Sequence, residues 1–202
     1  MVTSGTMRTT ALIASLTLLA FGVLADVQPQ KDFDLRKGQC CLLVRTNVKY
    51  LQKFGGKWYR VGLAYDSLAF ARYRSRFRIS MGTLTPLSNG DAELTMYEMG
   101  LTGCQPISYV YEKAAVPGVF KYFSTRHHRV KDIMVVETNY NEYALVLKNK
   151  KIDKELTQVA LYGRSQKLRP ELVEKFREFS LSLGFSRESI LTPSATDDCG
   201  PA

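Results

Sequence analysis

Few residues in this 202-residue chain could do chemistry: four cysteines, two histidines and a row of arginines. Cys40 and Cys41 are adjacent, while Cys104 and Cys199 stand far apart. Four cysteines allow three pairings, and the sequence alone leaves all three open. A vicinal pair can serve redox or metal chemistry, but no histidine or third cysteine lies near this one, which makes it a poor metal site. His127 and His128, followed by Arg129, fit a solvated loop better than a catalytic or metal centre. No serine stands in a Gly-x-Ser-x-Gly context. Arg72, Arg74, Arg76 and Arg78 recur at every second residue, which on a strand would line them along one side. No catalytic residue, no metal ligand and no cofactor is assigned.

The elements that would position such groups begin after a targeting segment. Ala11 to Ala25 is apolar, follows a region whose single charge is Arg8, and ends in Val23-Leu24-Ala25 ahead of Asp26. The run is short for a bilayer span and has the form of a cleaved signal peptide over residues 1–25. The expectation is a secreted, extracellular protein with no transmembrane segment. The 177 residues that follow are enough for one domain with a real core. The formal charge of +9 falls to +8 when Arg8 is removed with the segment. A basic surface suits solubility, and it also suits an acidic ligand, anionic lipid or a matrix polyanion. No nucleic-acid motif interleaves its basic residues with aromatics, so nucleic acid is not an expected partner.

Alternation and turn residues predict strands at Trp58–Tyr65, Phe77–Thr85, Ala92–Met99, Ile107–Lys113, Val119–Ser124, Ile133–Thr138, Tyr143–Lys148 and Thr157–Arg164. Ser88-Asn89-Gly90-Asp91 reads as a hairpin turn and Pro117-Gly118 as another. The stretch from Asp66 to Ser75 reads as the long loop over one end. After the strands the period changes. Leu172, Val173, Phe176, Phe179 and Leu183 form one helical stripe, with Pro170 suited to its first turn and Gly184 to its end.

Three runs carry a family resemblance: Phe54-Gly55-Gly56-Lys57-Trp58-Tyr59, then Val136-Glu137-Thr138-Asn139-Tyr140, then Leu161-Tyr162-Gly163-Arg164. In that order, over roughly a hundred residues, the chain resembles the lipocalins, and within them the prostaglandin-D-synthase-like branch. The resemblance implies an all-β fold: an eight-stranded antiparallel up-and-down barrel with one α-helix packed outside. It implies one domain over 54–202, led in by 26–53. Asp32-Phe33-Asp34-Leu35 matches the family lead-in, so residues 38–53 read as an insertion within a motif that is otherwise continuous.

The resemblance also assigns roles. Cys104 and Cys199 match the tether between barrel and tail, with Cys40 and Cys41 outside it. Trp58 seals the closed end, Arg164 stacks on it, Gly56 supplies the turn, and Thr138 and Tyr140 form the signature loop. Asn139 replaces the usual aspartate there and can still bond backbone groups. The predicted inward set is Arg60, Ser80, Gly82, Leu84, Leu94, Met96, Tyr109, Tyr111, Phe120, Tyr122, Met134, Val136, Leu145, Leu147 and Tyr162. Of these, Arg60, Gly82, Leu84, Leu94, Met96, Tyr109, Tyr111, Phe120, Tyr122 and Tyr162 are the expected ligand-binding residues. Nothing else in the inward set is acidic, so a ligand carboxylate is the expected partner of Arg60. For the arginine row, apolar alternation points the arginines outward, whereas the family register turns Arg76 and Arg78 inward.

The functional expectation is a monomeric secreted carrier of a small hydrophobic ligand such as a retinoid, fatty acid or related lipid. Two alternatives stand beside it. One is a prostaglandin-H2 D-isomerase; here Gly82 occupies the place of the family's nucleophilic cysteine, Arg60 and Met96 replace supporting serines, and Gly82→Cys is expected to introduce weak activity. The other is a module whose basic mouth binds a cell-surface receptor or matrix.

Overall fold

The computed structural model describes residues 27–35, 54–65, 74–100, 102–124, 128–149, 158–194 and 198–201. Eight antiparallel strands follow one another around a barrel: β1 (Gly56–Tyr65), β2 (Ile79–Pro86), β3 (Ala92–Gly100), β4 (Gly103–Lys113), β5 (Val119–Ser124), β6 (Arg129–Thr138), β7 (Tyr143–Asn149) and β8 (Gln158–Gly163). Each pairs with the next, and β1 pairs with both β2 and β8, which closes the ring and removes the exposed edges of an open sheet. The predicted hairpin forms at Gly90, whose φ of 94° only glycine adopts readily, and Leu87 N–H donates to Asp91 O at 2.8 Å. β4 begins four residues earlier than alternation predicts, because Pro106 interrupts the pattern. It is tolerated there because β4 meets β5 only at Glu112–Lys121 and Lys113–Phe120, so Pro106 lies on a locally free edge.

β1 and β2 pair from Gly56 to Arg60 and then part. Two short strands cover the parted edges. β9 (Ile190–Leu191) lies antiparallel on β1 beside Leu63 and Ala64, and β10 (Asp198–Cys199) lies parallel on β2 beside Ile79 and Ser80. The Cys104–Cys199 disulfide, with Cα atoms 5.5 Å apart, fastens this tail to the start of β4. Cys199 is fully buried. Cys40 and Cys41 lie outside the described residues, as do residues 1–26 and 36–53 with the signal-peptide and insertion readings that fall on them.

One helix, α1 (Pro170–Ser182), packs on the outside of the barrel. Proline at its first turn needs no N–H partner. Its end is a Schellman closure: Phe185 N–H donates to Ser180 O at 3.2 Å, Gly184 N–H to Leu181 O at 2.9 Å, and Gly184 takes a φ of 86°. Leu172, Phe176 and Ser180 are its buried face. Val173, Phe179 and Leu183 of the predicted stripe flank that face and are half-buried. Phe176 lies so close to Gly62 of β1 that a Cβ there would meet its ring at 2.9 Å.

The barrel therefore has two apolar layers, and this overturns part of the predicted inward set. Ile133 and Val135 of β6 and Ala144 and Val146 of β7 face the interior, while Met134, Val136, Leu145 and Leu147 pack outside with α1. Both faces of these strands are apolar, the outer one buried on β7 and half-buried on β6, so alternation of apolar with polar residues carries no phase, and a one-residue slip exchanges the two faces. An irregularity between Val135 and Glu137 shifts the register further. The arginine row resolves between its two readings. Phe77 is buried in the inner core, while Ile79 turns outward and Ser80 and Gly82 turn inward, because the chain makes a turn at Arg74–Arg76 and enters β2 only at Ile79. Arg76 stays exposed, and Arg78 is half-buried and donates to Ser75 O and Phe77 O.

Candidate functional site

One end of the barrel is sealed from the sequence outward. Gly56, with a φ of 89°, turns the chain into β1 and sets Trp58 across the barrel floor, where it is 2% exposed. The indole N–H donates to Phe54 O at 2.7 Å. The Arg164 guanidinium, from just beyond β8, lies 3.7 Å from the centroid of that ring, a stack worth ~0.5–2 kcal/mol. It also donates to Gly55 O at 3.0 Å, Lys57 O at 2.7 Å and Tyr140 O at 3.0 Å, so one side chain ties three carbonyls from two segments together. Burial pulls its pKa down to about 10, which leaves it cationic at neutral pH. In the signature loop Thr138 donates to Tyr143 O at 2.6 Å and accepts from Tyr140 N–H at 2.9 Å. Asn139 Oδ1 accepts from Glu142 and Tyr143 N–H at 2.9 and 3.1 Å, which is the backbone role expected for the amide. Phe33 and Phe54, with rings 4.9 Å apart, join Tyr140 in the same cluster, so the two ends of the interrupted lead-in meet at the seal.

Above the seal the interior divides into two cavities. The lower one is apolar, lined by Trp58, Leu84, Leu94, Phe120, Val146 and Tyr162 among others, and holds only about 40 Å³. The upper one holds about 220 Å³ and is polar, lined by Arg60, Glu98, Tyr109, Tyr122, Lys131, Leu63, Tyr65 and Gln158. Tyr111, Ile133 and Lys148 line both and form the constriction between them. Tyr109, Tyr111 and Tyr122 pack against one another with centroids 5.2 to 6.4 Å apart. Three exposed or half-open side chains, Arg76, Arg78 and Met99, line a further recess at the rim.

Eight of the ten expected ligand-binding residues line these cavities. Gly82 and Met96 line neither. They fill each other: Met96, 1% exposed, places its sulfur where a Cβ on Gly82 would stand, and that Cβ would also meet Thr95 O at 3.0 Å. The Gly82→Cys change, expected to introduce weak activity, would first have to move the Met96 side chain aside. The expectation that Arg60 faces no acid is wrong. Arg60 Nη1 donates to Glu98 Oε1 at 3.1 Å and Nη2 donates to Ser80 Oγ at 3.1 Å. Burial alone would raise the Glu98 carboxyl, but the Arg60 guanidinium and then Lys148 outweigh it and hold its pKa below the ordinary value. Tyr109 O–H donates to the same Glu98 oxygen at 3.3 Å.

Two functional side chains escaped sequence reasoning. Glu98 shares the parity of Leu94 and Met96 on β3, and Lys148 shares that of Ala144 and Val146 on β7. Parity was the available signal, but a charged residue near a strand end is by default read as outward. Lys148 Nζ donates to Tyr111 O–H oxygen at 3.4 Å and lies 6.0 Å from the Tyr109 ring. Burial acts to lower the pKa of Lys148, its contacts with the phenols of Tyr111 and Tyr162 act to raise it, and the net direction is upward. Among the described residues no carboxylate is within ion-pair distance of it, and no His, Cys, Asp and Glu grouping suited to a metal occurs.

Comparison with known proteins agrees with this geometry. The family model described as Lipocalin / cytosolic fatty-acid binding protein family matches residues 55–197. A protein of Rhinella marina named lipocalin is 33% identical over 190 residues, 94% of this chain and 93% of its own. Prostaglandin-H2 D-isomerase of Canis lupus familiaris is 31% identical over 186 residues, 91% of this chain and 93% of its own. Among solved structures, the siderocalin Ex-FABP superposes with a TM-score of 0.61 at 24% identity, over 72% of this chain and 97% of that one, a likeness of fold alone.

Proposed function

As the chain belongs to the lipocalin and cytosolic fatty-acid binding protein family, we propose that it is a secreted, monomeric carrier of one small hydrophobic molecule with an acidic head, such as a fatty acid or retinoic acid. The observation that carries this is the upper cavity of about 220 Å³, open at the mouth, closed below by Trp58, and walled by tyrosine rings with more positive than negative charge. Aromatic walls with a few placed polar groups suit an apolar body and one polar end. Export is supported by the apolar segment before Asp26 and by the disulfide, which persists in oxidising compartments. Among the described residues no helix is long and apolar enough to cross a membrane.

Trp58 is the one tryptophan, so its emission reports the interior without labelling. Titration with oleic acid, retinoic acid and retinol should give saturable quenching at one equivalent for at least one of them. Linear, unsaturable quenching by all three would overturn the carrier reading.

A second reading, a prostaglandin-H2 D-isomerase, is favoured by the relatives that carry that name in dog, horse and mouse. Thiolate catalysis needs a free sulfur in the cavity. Gly82 supplies none, and Cys104 and Cys199 are bonded to each other. The endoperoxide should therefore decay at its uncatalysed rate in the presence of this protein. Thiol-sensitive turnover above that rate would transfer the catalytic role to Cys40 or Cys41 and favour the second reading.

A further inference from the structure

We infer that Lys148 is the head-group anchor of the cavity, and that an acidic lipid enters carboxylate first, with its chain running up toward the mouth. This rests on the carrier reading above and adds the residue, the depth and the direction.

The interior holds two cations of different status, Arg60 buried and Lys148 half-buried. Arg60 is already matched, by Glu98 and by the Ser80 hydroxyl. A ligand acid at Arg60 would have to displace a carboxylate that is held in place by two donors. Lys148 has phenol contacts only, at Tyr111 and over the Tyr109 ring. An ammonium drawn partly out of water with no carboxylate in direct contact is costly, and an incoming carboxylate relieves that cost while bonding the same nitrogen. The Tyr162 hydroxyl, on the wall of the lower cavity that Tyr111 and Lys148 also line, is buried without a hydrogen-bond partner among the described residues. Buried hydroxyls are seldom left unpaired, and this one can donate to a carboxylate oxygen.

Direction follows from volume. Lys148 marks the boundary between the cavities. Below it the apolar space holds about 40 Å³, far less than the chamber above. Above it lies about 220 Å³, bounded by Leu63, Tyr65 and Tyr122. A lipid whose head reaches Lys148 finds the larger space for its chain above it.

Two measurements test this with defined probes. The first uses Lys148→Met, which keeps length and removes charge, titrated with cis-parinaric acid and with its methyl ester. The acid should bind about ten-fold more weakly or worse than to the native chain, and the ester within about two-fold of its native affinity. Lys148→Gln serves if the methionine variant fails to fold. The second uses the native chain and Trp58 as a depth gauge, with hexadecanoic acid brominated at C2 or at C16. Bromine quenches at contact range, so the C2 acid should quench Trp58 more strongly. An acid preference that survives the loss of Lys148, or stronger quenching by the C16 acid, overturns the inference and leaves the carrier reading intact. Failure of acid and ester alike to bind the native chain overturns both.

Discussion

Arg60 and Glu98 show how a buried charge is made tolerable: Arg60 is 5% exposed and survives because β3 brings a carboxylate to 3.1 Å. Glu98→Gln should lower stability by about 1–3 kcal/mol in urea unfolding, since it leaves Arg60 without its counter-charge while Glu98 itself remains partly solvated. The pH dependence has a definite sign. The folded Glu98 pKa lies below 4.5, so the stabilisation is complete above about pH 4.5 and is lost as pH falls through the lower folded value. Glu98→Gln should flatten the acid limb of the stability profile, and an unchanged limb would show that the pair contributes nothing there. At Gly82, cysteine alone should destabilise by about 1–3 kcal/mol through collision with Met96, and Gly82→Cys with Met96→Ser should recover most of that loss in thermal melts. Arg60 and the tyrosines were legible in the sequence because each sits two residues from a recognisable motif or from one another. Glu98 and Lys148 were not, because a charge in a barrel is the exception to alternation and its partner lies on a strand distant in sequence.

At the scale of elements, α1 decides which face of the barrel is dry. Phe176→Ala should cost about 3–5 kcal/mol, because its ring is fully buried against Gly62 and the outward side chains of β1 and β8. Gly62→Val should be nearly as damaging although the new residue favours strands, since its Cβ has no room under that ring. The helix itself was legible from its period and its terminal Pro170 and Gly184. The phase of β6 and β7 was not: apolar residues occupy both faces of these strands, and the inward one could not be read there. The lead-in gives a test of another kind. Phe33 and Phe54 meet at 4.9 Å on either side of residues 36–53. Deleting 38–53 should leave the melting temperature nearly unchanged, and a deletion that unfolds the chain would make the segment part of the domain.

The whole molecule is a barrel sealed at one end by Trp58 and Arg164 and tied at its C-terminal end by Cys104–Cys199. The disulfide closes a separation of 95 residues, so Cys199→Ser should lower stability by about 3–5 kcal/mol in the chain-entropy account, with β10 released from β2. The barrel, its order and its tether were legible because three motifs fall at the structural corners. The division of the interior into a narrow floor and a wider polar chamber was not, since cavity volume depends on rotamers and on pairs such as Gly82 with Met96. The most direct measurement is native mass spectrometry of the chain recovered from the medium of secreting cells, followed by extraction and identification of what it carries. One apolar acid per chain, exchangeable for added oleic or retinoic acid, is the predicted result. A folded chain that leaves the cell empty and stays empty when offered fatty acids and retinoids would contradict the carrier function.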